Sequence, residues 1–498
     1  MYKLPNMKNI FFVRKQFLLL FYIIFIVPSC SKFLEENPKN FINTDNFFQT
    51  EQDAISSVNS IYAYLNSQSA APFTGTYHST FWAVIGLASD ELRNGNVQLN
   101  EPDMEPIGNF TFSALYGEFA EIWQQQYKPI TQANLSIEKI PAIKMDETLK
   151  ARLIGEASFL RGLLYFNMVR MFGSIPLVLK AEEPLKPPVA TEDEIYNQII
   201  ADLTVAINSL PDNYPPKDGR GRATKGAANA LLAKVLLTRG DWQGAVDHCM
   251  AVINGGQYDL WQDFADVFKL SSRGGKESVF AVGFGTANNA ISFWEAGQFQ
   301  VRLLPPQIQA EGIINCQGWQ YPTVGLHASF DPLDRRRNAT FGTTANGNTI
   351  DPYIIKYWDR KAEPKGGDSQ NDFQVIRYSD VFLTAAEAYN ELGDSAEAKK
   401  YINTVRKRAR WDGTKYQNVL PDITGLTQAQ FRDTVLNERK WEFVCEGQRW
   451  FDLKRTNKLE EIVPQTKPTI SPEAKNYLFP KPQREIDLNG NIIQNTGY

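Results

Sequence analysis

The chain is poor in the residues on which most catalytic and metal chemistry depends. Among 498 residues there are four cysteines and three histidines. Cys30, Cys249, Cys316 and Cys445 are widely spaced, and the three beyond Cys30 are an odd number in a long chain. That excludes the disulfide framework of a small secreted domain and predicts buried free thiols. His78, His248 and His327 have no zinc-ligand spacing, so neither metal nor cofactor is expected. His248 and Cys249 point to different faces of one predicted helix and read as packing residues. A GxSxG elbow, a P-loop and a dinucleotide fingerprint are all missing; GFGTAN (283–288) lacks the third glycine and a following helix. Net positive charge is missing too. The formal balance is −4, which argues against nucleic acid and against broad adhesion to anionic lipid.

Long apolar runs are equally scarce, and the one present lies at the start. FLLLFYIIFIV (17–27) follows a basic leader of Lys3, Lys8, Arg14 and Lys15. It is too short to span a bilayer comfortably and reads as a secretory signal covering residues 1–29. Val27-Pro28-Ser29-Cys30 resembles a lipobox, which makes Cys30 the expected site of lipidation and fatty acid the expected membrane anchor. The next residues, SKFLEENP, resemble the short lysine-plus-acid signal that sends such lipoproteins to the cell surface. Without the leader the chain carries 48 basic against 56 acidic residues, a balance of −8.

What is abundant is apolar, aromatic and helical. Hydrophobic residues make up 43% and aromatics 12%, ample for a large core. Helical periodicity predicts helices over 51–65, 79–88, 118–140, 146–172, 191–209, 223–239 and 241–254. Pro129 lies inside the third of them. EASFLRGLLYFNMVRMFG, within 146–172, is apolar on much of its circumference and predicts a deeply buried helix. LLAKVLLTRGDWQGAV (231–246) and part of LTAAEAYNELGDSAEA (383–398) align at an offset of 153, which superposes Gly240-Asp241 on Gly393-Asp394. Each has an Ala seven residues before its Gly-Asp (Ala233, Ala386) and another five after the Gly (Ala245, Ala398). Small residues at those offsets let antiparallel helices approach closely, the tetratricopeptide pattern. The fold class is therefore mainly α: a tetratricopeptide-like scaffold of about four helix pairs over 51–65, 118–270 and 376–455. Loops 66–115 and 271–370 lack periodicity, and an extended tail is expected over 456–498. The second loop region carries apolar runs VFAVGF and YIIKYW that read as short strands.

The stretch Leu426–Arg455, LTQAQFRDTVLNERKWEFVCEGQRWFDLKR, organises the rest. Thr427 is its expected N-cap, Phe431, Val435 and Phe443 share one face, and Gly447 provides a stop. Glu438, Arg439, Glu442, Glu446 and Arg449 recur at helical spacing and read as structural ion pairs rather than catalytic groups. ERKWEFVCEGQRWFDLKR resembles the signature of the SusD/RagB family of outer-membrane nutrient-binding lipoproteins of Bacteroidetes. IRYSDVFLTAAEAYNELGD (376–394), NTVRKRA (403–409) and YLFPKPQREIDLNGNIIQNTGY (477–498) agree with it.

That resemblance implies one domain over 30–498 on the outer-membrane surface. It implies capture of an oligosaccharide or polysaccharide and delivery to a TonB-dependent, SusC-like transporter. Sugars bind where flat rings meet amides, carboxylates and arginines. The two loop regions supply such pieces in Tyr77, Arg93, Asn94, Asn96 and Tyr321, and family aromatics come from these same regions, which puts the first expected contacts at Trp82, Trp294 and Trp319. Phe293, Arg302 and Gln317 lie nearby in sequence, and Asn94-Gly95 also reads as a turn. Trp358, Tyr353 and Tyr357 alternate as packing residues, and Arg335-Arg336-Arg337, which could grip an anion, reads instead as solvated or ion-paired structure. Glycoside hydrolysis would need two facing carboxylates. Asp90-Glu91, Asp263-Asp266 and Asp351 are available, but nothing marks a pair, and no enzymatic activity is expected. The competing expectations are peptide or glycoprotein capture and a protein-binding scaffold that buries its aromatics.

Overall fold

Helix pairs form where a Gly-Asp step separates two amphipathic runs. The computed structural model describes residues 47–66, 75–95, 104–182, 184–215, 221–285, 297–311, 316–358, 360 and 370–498. Its main helices are α1 (Glu51–Asn66), α2 (Thr80–Leu87), α3 (Gly117–Lys139), α4 (Glu147–Phe172), α5 (Glu192–Ser209), α6 (Lys225–Arg239), α7 (Trp242–Gly255), α8 (Tyr378–Glu391), α9 (Ser395–Ala409), α10 (Gln428–Glu442) and α11 (Arg449–Arg455). Gly240 ends α6 with φ +77°, and the Asp241 N–H returns to the Leu236 carbonyl at 2.9 Å. The Asp241 carboxylate then accepts from the Gly244 N–H at 2.9 Å and starts α7. Gly393 (φ +83°) and Asp394 repeat the device between α8 and α9, with Asp394 accepting from the Glu397 N–H at 3.1 Å. A glycine takes the left-handed turn and an aspartate caps the second helix of the pair. Ala233, Ala245, Ala386 and Ala398 are all buried at the close approaches.

Residues Gln49–Tyr498 cluster as one compact unit. Of the unit Met1–Phe48, Phe47 and Phe48 are described, their rings edge to face at 5.0 Å. The helices stack in sequence: α1 on α3, α3 on α4, α4 on α5, α5 on α6, α6 on α7. The stack continues through α7 on α8, although residues 256–377 intervene in the chain. From Gly155 to Phe172 every residue of α4 is buried, as its all-round apolar sequence predicts. Within that run Arg161 reaches Asp202 at 2.8 and 2.6 Å and Asn134 at 2.9 Å. Pro129 lies inside α3 and is buried there.

Among the described residues, three two-stranded ladders lie in or beside the loop regions: β1 (Leu92–Asn94) with β3 (Gln320–Pro322), β2 (Ser278–Val282) with β6 (Phe373–Arg377), and β4 (Phe341–Ala345) with β5 (Asn348–Ile354). Asn346 (φ +50°) and Gly347 (φ +76°) close the β4–β5 hairpin, as an Asn-Gly pair does in a type I′ turn. Strand β2 covers the first four residues of VFAVGF, as predicted, and begins one residue earlier at Ser278. The YIIKYW strand stops at Ile354, because the buried Lys356 must turn to Glu446 at 2.7 Å and Tyr357 stacks on Phe299 at 4.2 Å.

Two expectations are corrected by the fold. The tail 456–498 is not wholly extended, since Leu459–Thr466 and Gln483–Leu488 are helical. Leu459 and Val463, four apart, bury one face of the first of these helices. Tyr77 and Trp82 are core residues, each 1% exposed. The α2 segment TFWAVIGL is apolar on every side, so it is swallowed whole, and Trp82 stacks on Phe299 at 5.2 Å.

The signature stretch is capped where its pattern predicts, but α10 ends at Glu442, five residues before the expected stop at Gly447. Thr427 and Gln430 form a capping box at the start of α10, and Gly447 (φ +66°) lies in the break before α11. Its charges are buried and paired. Glu442 accepts from Arg377 (2.9 Å), Arg336 (3.3 Å) and Arg408, and Glu438 from Arg336 (2.6 Å) and Arg406 (2.7 Å). Arg439 bridges Asp380 at 2.7 Å and Asp452 at 2.8 Å. Cys249, Cys316 and Cys445 are buried free thiols, and Cys30 lies outside the described residues.

Candidate ligand-binding site

The segment after α2 is pinned before it becomes a strand. Asp90 meets the Arg449 guanidinium at 2.6 and 3.0 Å, and its carbonyl accepts from the hydroxyls of Thr323 (2.8 Å) and Thr466 (3.1 Å). Burial alone would raise the Asp90 carboxyl, but Arg449 outweighs it and holds the group below the ordinary carboxylate range. Burial and the Asp90 charge push its neighbour Glu91 up to about 8.

From this anchor β1 extends to β3, with Arg93 opposite Tyr321 and Asn94 opposite Gln320. The Gly95 N–H then donates to the Trp319 carbonyl at 2.7 Å. A Cβ on Gly95 would lie 1.9 Å from the Gly318 carbonyl oxygen, so the two loop regions cross only because Gly95 carries no side chain. Asn94-Gly95 is thus a strand end and a close crossing rather than a hairpin turn. The Asn94 amide donates to the Glu105 carbonyl at 3.1 Å, which binds β1 to the short helix Glu105–Asn109.

Beside this ladder lie rings and guanidinium groups. Arg302 stands over the Trp319 ring at 4.6 Å and Arg93 over the Tyr321 ring at 5.3 Å. Arg93 also pairs with Asp351 at 2.7 Å, the two side chains being 35% and 70% exposed. Trp319 and Tyr321 are partly buried, and burial raises the Tyr321 phenol. Tyr321 and Trp358 pack on an apolar cluster of Leu304, Ile308, Cys316, Ala345 and Tyr353. A side chain such as Trp319 or Tyr321 offers a ligand an apolar face, while Arg93 and Asp351 offer donors and acceptors at the rim.

The structure therefore brings together Arg93, Asn94, Trp319 and Tyr321, drawn from both predicted loop regions. It does not bring Tyr77 or Trp82, which the core takes. Asn96 and Trp294 lie outside the described residues, as does Phe293. Two partners escaped sequence reasoning: Asp351 as the counter-ion of Arg93, and Arg302 as the cap on Trp319. Asp351 is 258 positions from Arg93, and no local pattern links them. The carboxylates weighed for hydrolysis are engaged or buried: Asp90 by Arg449, Asp263 by Arg335 at 2.8 and 2.7 Å, Asp266 by Lys269, Asp351 by Arg93, and Glu91 in the interior. Arg336 of the arginine triplet is fully buried among acids, as the sequence predicts. Among the described residues no cluster of His, Cys, Asp or Glu could hold a metal ion, and no helix is long and apolar enough to cross a membrane.

Comparison with known proteins agrees with this architecture. Residues 333–498 match the model of the SusD family, and residues 32–237 match one described as starch-binding associating with outer membrane. The SusD-like protein P2 of Formosa agariphila is 30% identical, over 97% of this chain and 100% of its own length. A SusD homolog from Bacteroides thetaiotaomicron superposes with a TM-score of 0.79 at 22% identity, covering 91% of this chain and 98% of that one. Surface glycan-binding protein A from Bacteroides thetaiotaomicron, solved in complex with laminarihexaose, gives 0.76 at 22% identity, over 90% of this chain and all (100%) of that one. With a relative of 30% identity matched along its whole length, the chain belongs to the SusD family.

Proposed function

We propose that the protein captures a glycan at the cell surface and passes it to a TonB-dependent, SusC-like transporter in the outer membrane. The observation that carries this reading is the β1–β3 ladder. It sets Arg93 opposite Tyr321, with Trp319 just before the strand and Asp351 paired to Arg93, and it joins the two regions from which ligand contacts are expected. An indole or phenol ring sheds water against the apolar face of a sugar while the ion pair at the rim orients its hydroxyls. The named relative that holds laminarihexaose supports an oligosaccharide as the ligand class. Binding takes place without cleavage. The leader and Cys30 supply the signal and the fatty-acid anchor, and the helical stack supplies the face that docks on the transporter. Modest affinity suffices for capture, because a tethered partner raises the effective concentration.

The test is binding of the mature protein to a panel of neutral and acidic polysaccharides, by affinity electrophoresis and calorimetry. Trp319→Ala and Tyr321→Ala are each expected to weaken the best ligand by about tenfold. Unchanged binding in both variants would remove the ring surface as the site, and no saccharide binding at all would favour a protein-binding scaffold.

A further inference from the structure

A second cleft, of about 440 Å³, opens where the α5–α6 connection meets the segment leading into β2. It shares no residue with the ring surface. Its described lining includes Arg222, Arg273 and Lys276, flanked by Tyr214 and Tyr258, and contains no aspartate or glutamate. Beneath it lies the fully buried Glu156, which accepts from Arg222 at 2.7 Å and is also paired with Arg152 at 3.3 Å. Two guanidinium groups thus share one carboxylate. Arg273 directs Nη1 to the carbonyl oxygens of Phe284 and Gln370, at 3.2 and 2.8 Å. At the rim Lys276 pairs with Asp259, the side chains being 40% and 72% exposed. Asp212 acts on Tyr258 from nearby. The tyrosines are fixed in place: Tyr214 donates to the Ala223 carbonyl at 2.9 Å, and Tyr258 shares a hydrogen bond with Thr224 at 2.8 Å.

We propose that this cleft binds the carboxylate or sulfate group of an acidic saccharide, with Lys276 released from Asp259 to meet the anion. Positive side chains around a cleft floored by neutralised charge select an anion. The two tyrosines give the sugar ring an apolar flank. The saccharide body of the ligand rests on the glycan-capture reading, whereas the preference for an anion does not.

The test is calorimetric titration of the mature protein with tetragalacturonate, its uncharged galactose counterpart and inorganic sulfate. Tetragalacturonate should bind, sulfate should compete with it, and the neutral counterpart should bind about tenfold more weakly. Lys276→Gln should weaken tetragalacturonate by a similar factor, whereas Asp259→Asn, which removes the competing acid, should tighten it. Trp319→Ala should leave this site unchanged, so failure of the ring surface and failure of the cleft are read from different variants. Equal binding of the charged and neutral oligomers, or Lys276→Gln and Asp259→Asn both indistinguishable from wild type, would overturn the proposal. Tetragalacturonate binding no tighter than sulfate would overturn its saccharide part.

Discussion

Arg449 closes on Asp90 through two hydrogen bonds, 2.6 Å from Nε and 3.0 Å from Nη2, across 359 positions of sequence. Arg449 opens α11 in the helical scaffold, and Asp90 stands two residues before the strand that carries Arg93 and Asn94. The family signature works the same way elsewhere: Glu446 takes Lys356 and Arg377, and Glu442 takes Arg336, Arg377 and Arg408. Glu442 and Glu446 thereby grip residues of the long insertion and its return strand. Glu442, Glu446 and Arg449 are thus fasteners between the scaffold and the loop regions.

Removing one side of such a fastener strands the other in the interior. Arg449→Met is therefore expected to cost about 3–5 kcal/mol of stability, read from urea unfolding, because Asp90 stays buried without its cation. Adding Asp90→Asn should recover part of that loss. A strictly additive double variant would show that the two side chains do not act as a pair.

Glu91 gives the same region a pH signature. Burial and the Asp90 charge raise its carboxyl from an ordinary 4.5 to about 8, with Arg449 and Lys356 pulling the other way. The folded chain holds this proton while the unfolded chain releases it. Its contribution to stability is therefore whole below about pH 4.5 and gone once the pH has passed about 8. Relative to Glu91→Gln, which keeps the neutral form, wild type should lose on the order of 3 kcal/mol between pH 5 and 8.5. Unfolding curves for the two proteins that stay parallel across this range would contradict it.

Gly393 tests the repeat device. It holds φ +83°, and a Cβ placed there would meet no atom within 4 Å, so backbone strain is the whole penalty. Gly393→Ala should cost about 1 kcal/mol and lower the melting temperature, whereas Gly393→Asn should recover much of the loss, since asparagine tolerates the left-handed region. Equal melting of all three proteins would mean that this turn frays in solution.

The scaffold was legible because its signals are local: Gly-Asp steps, small residues at fixed offsets, a helix apolar all round and a capped charge-rich stretch. The crossing of two loop regions at Gly95 and Gly318 has no such signal. Nor does the pairing of Arg93 with Asp351, since that contact depends on where the scaffold carries each loop. Trp82 shows the opposite limit. Its neighbours in TFWAVIGL already foretold burial, and its nearness to a loop rich in polar residues masked that pattern. Tryptophan is large enough to serve either purpose, and only its surroundings decide.

Trp82 and Trp319 should therefore part company under mutation. Trp82 is 1% exposed and stacks on Phe299, which itself stacks on Tyr357 at 4.2 Å. Truncation to alanine leaves a cavity and should cost about 3–5 kcal/mol. Trp319 is partly exposed and capped by Arg302, so its truncation should cost no more than about 2 kcal/mol while removing most ligand affinity. Phe299 and Arg302 share the short helix Phe299–Leu303, so the Trp82 cavity also loosens the cap on Trp319 and weakens binding indirectly. Trp82→Phe separates the two effects. It should restore much of the stability and bind as wild type does, because the ring it replaces is buried in the core. A Trp82→Phe protein that folds normally yet loses its glycan would place Trp82 in the binding surface after all.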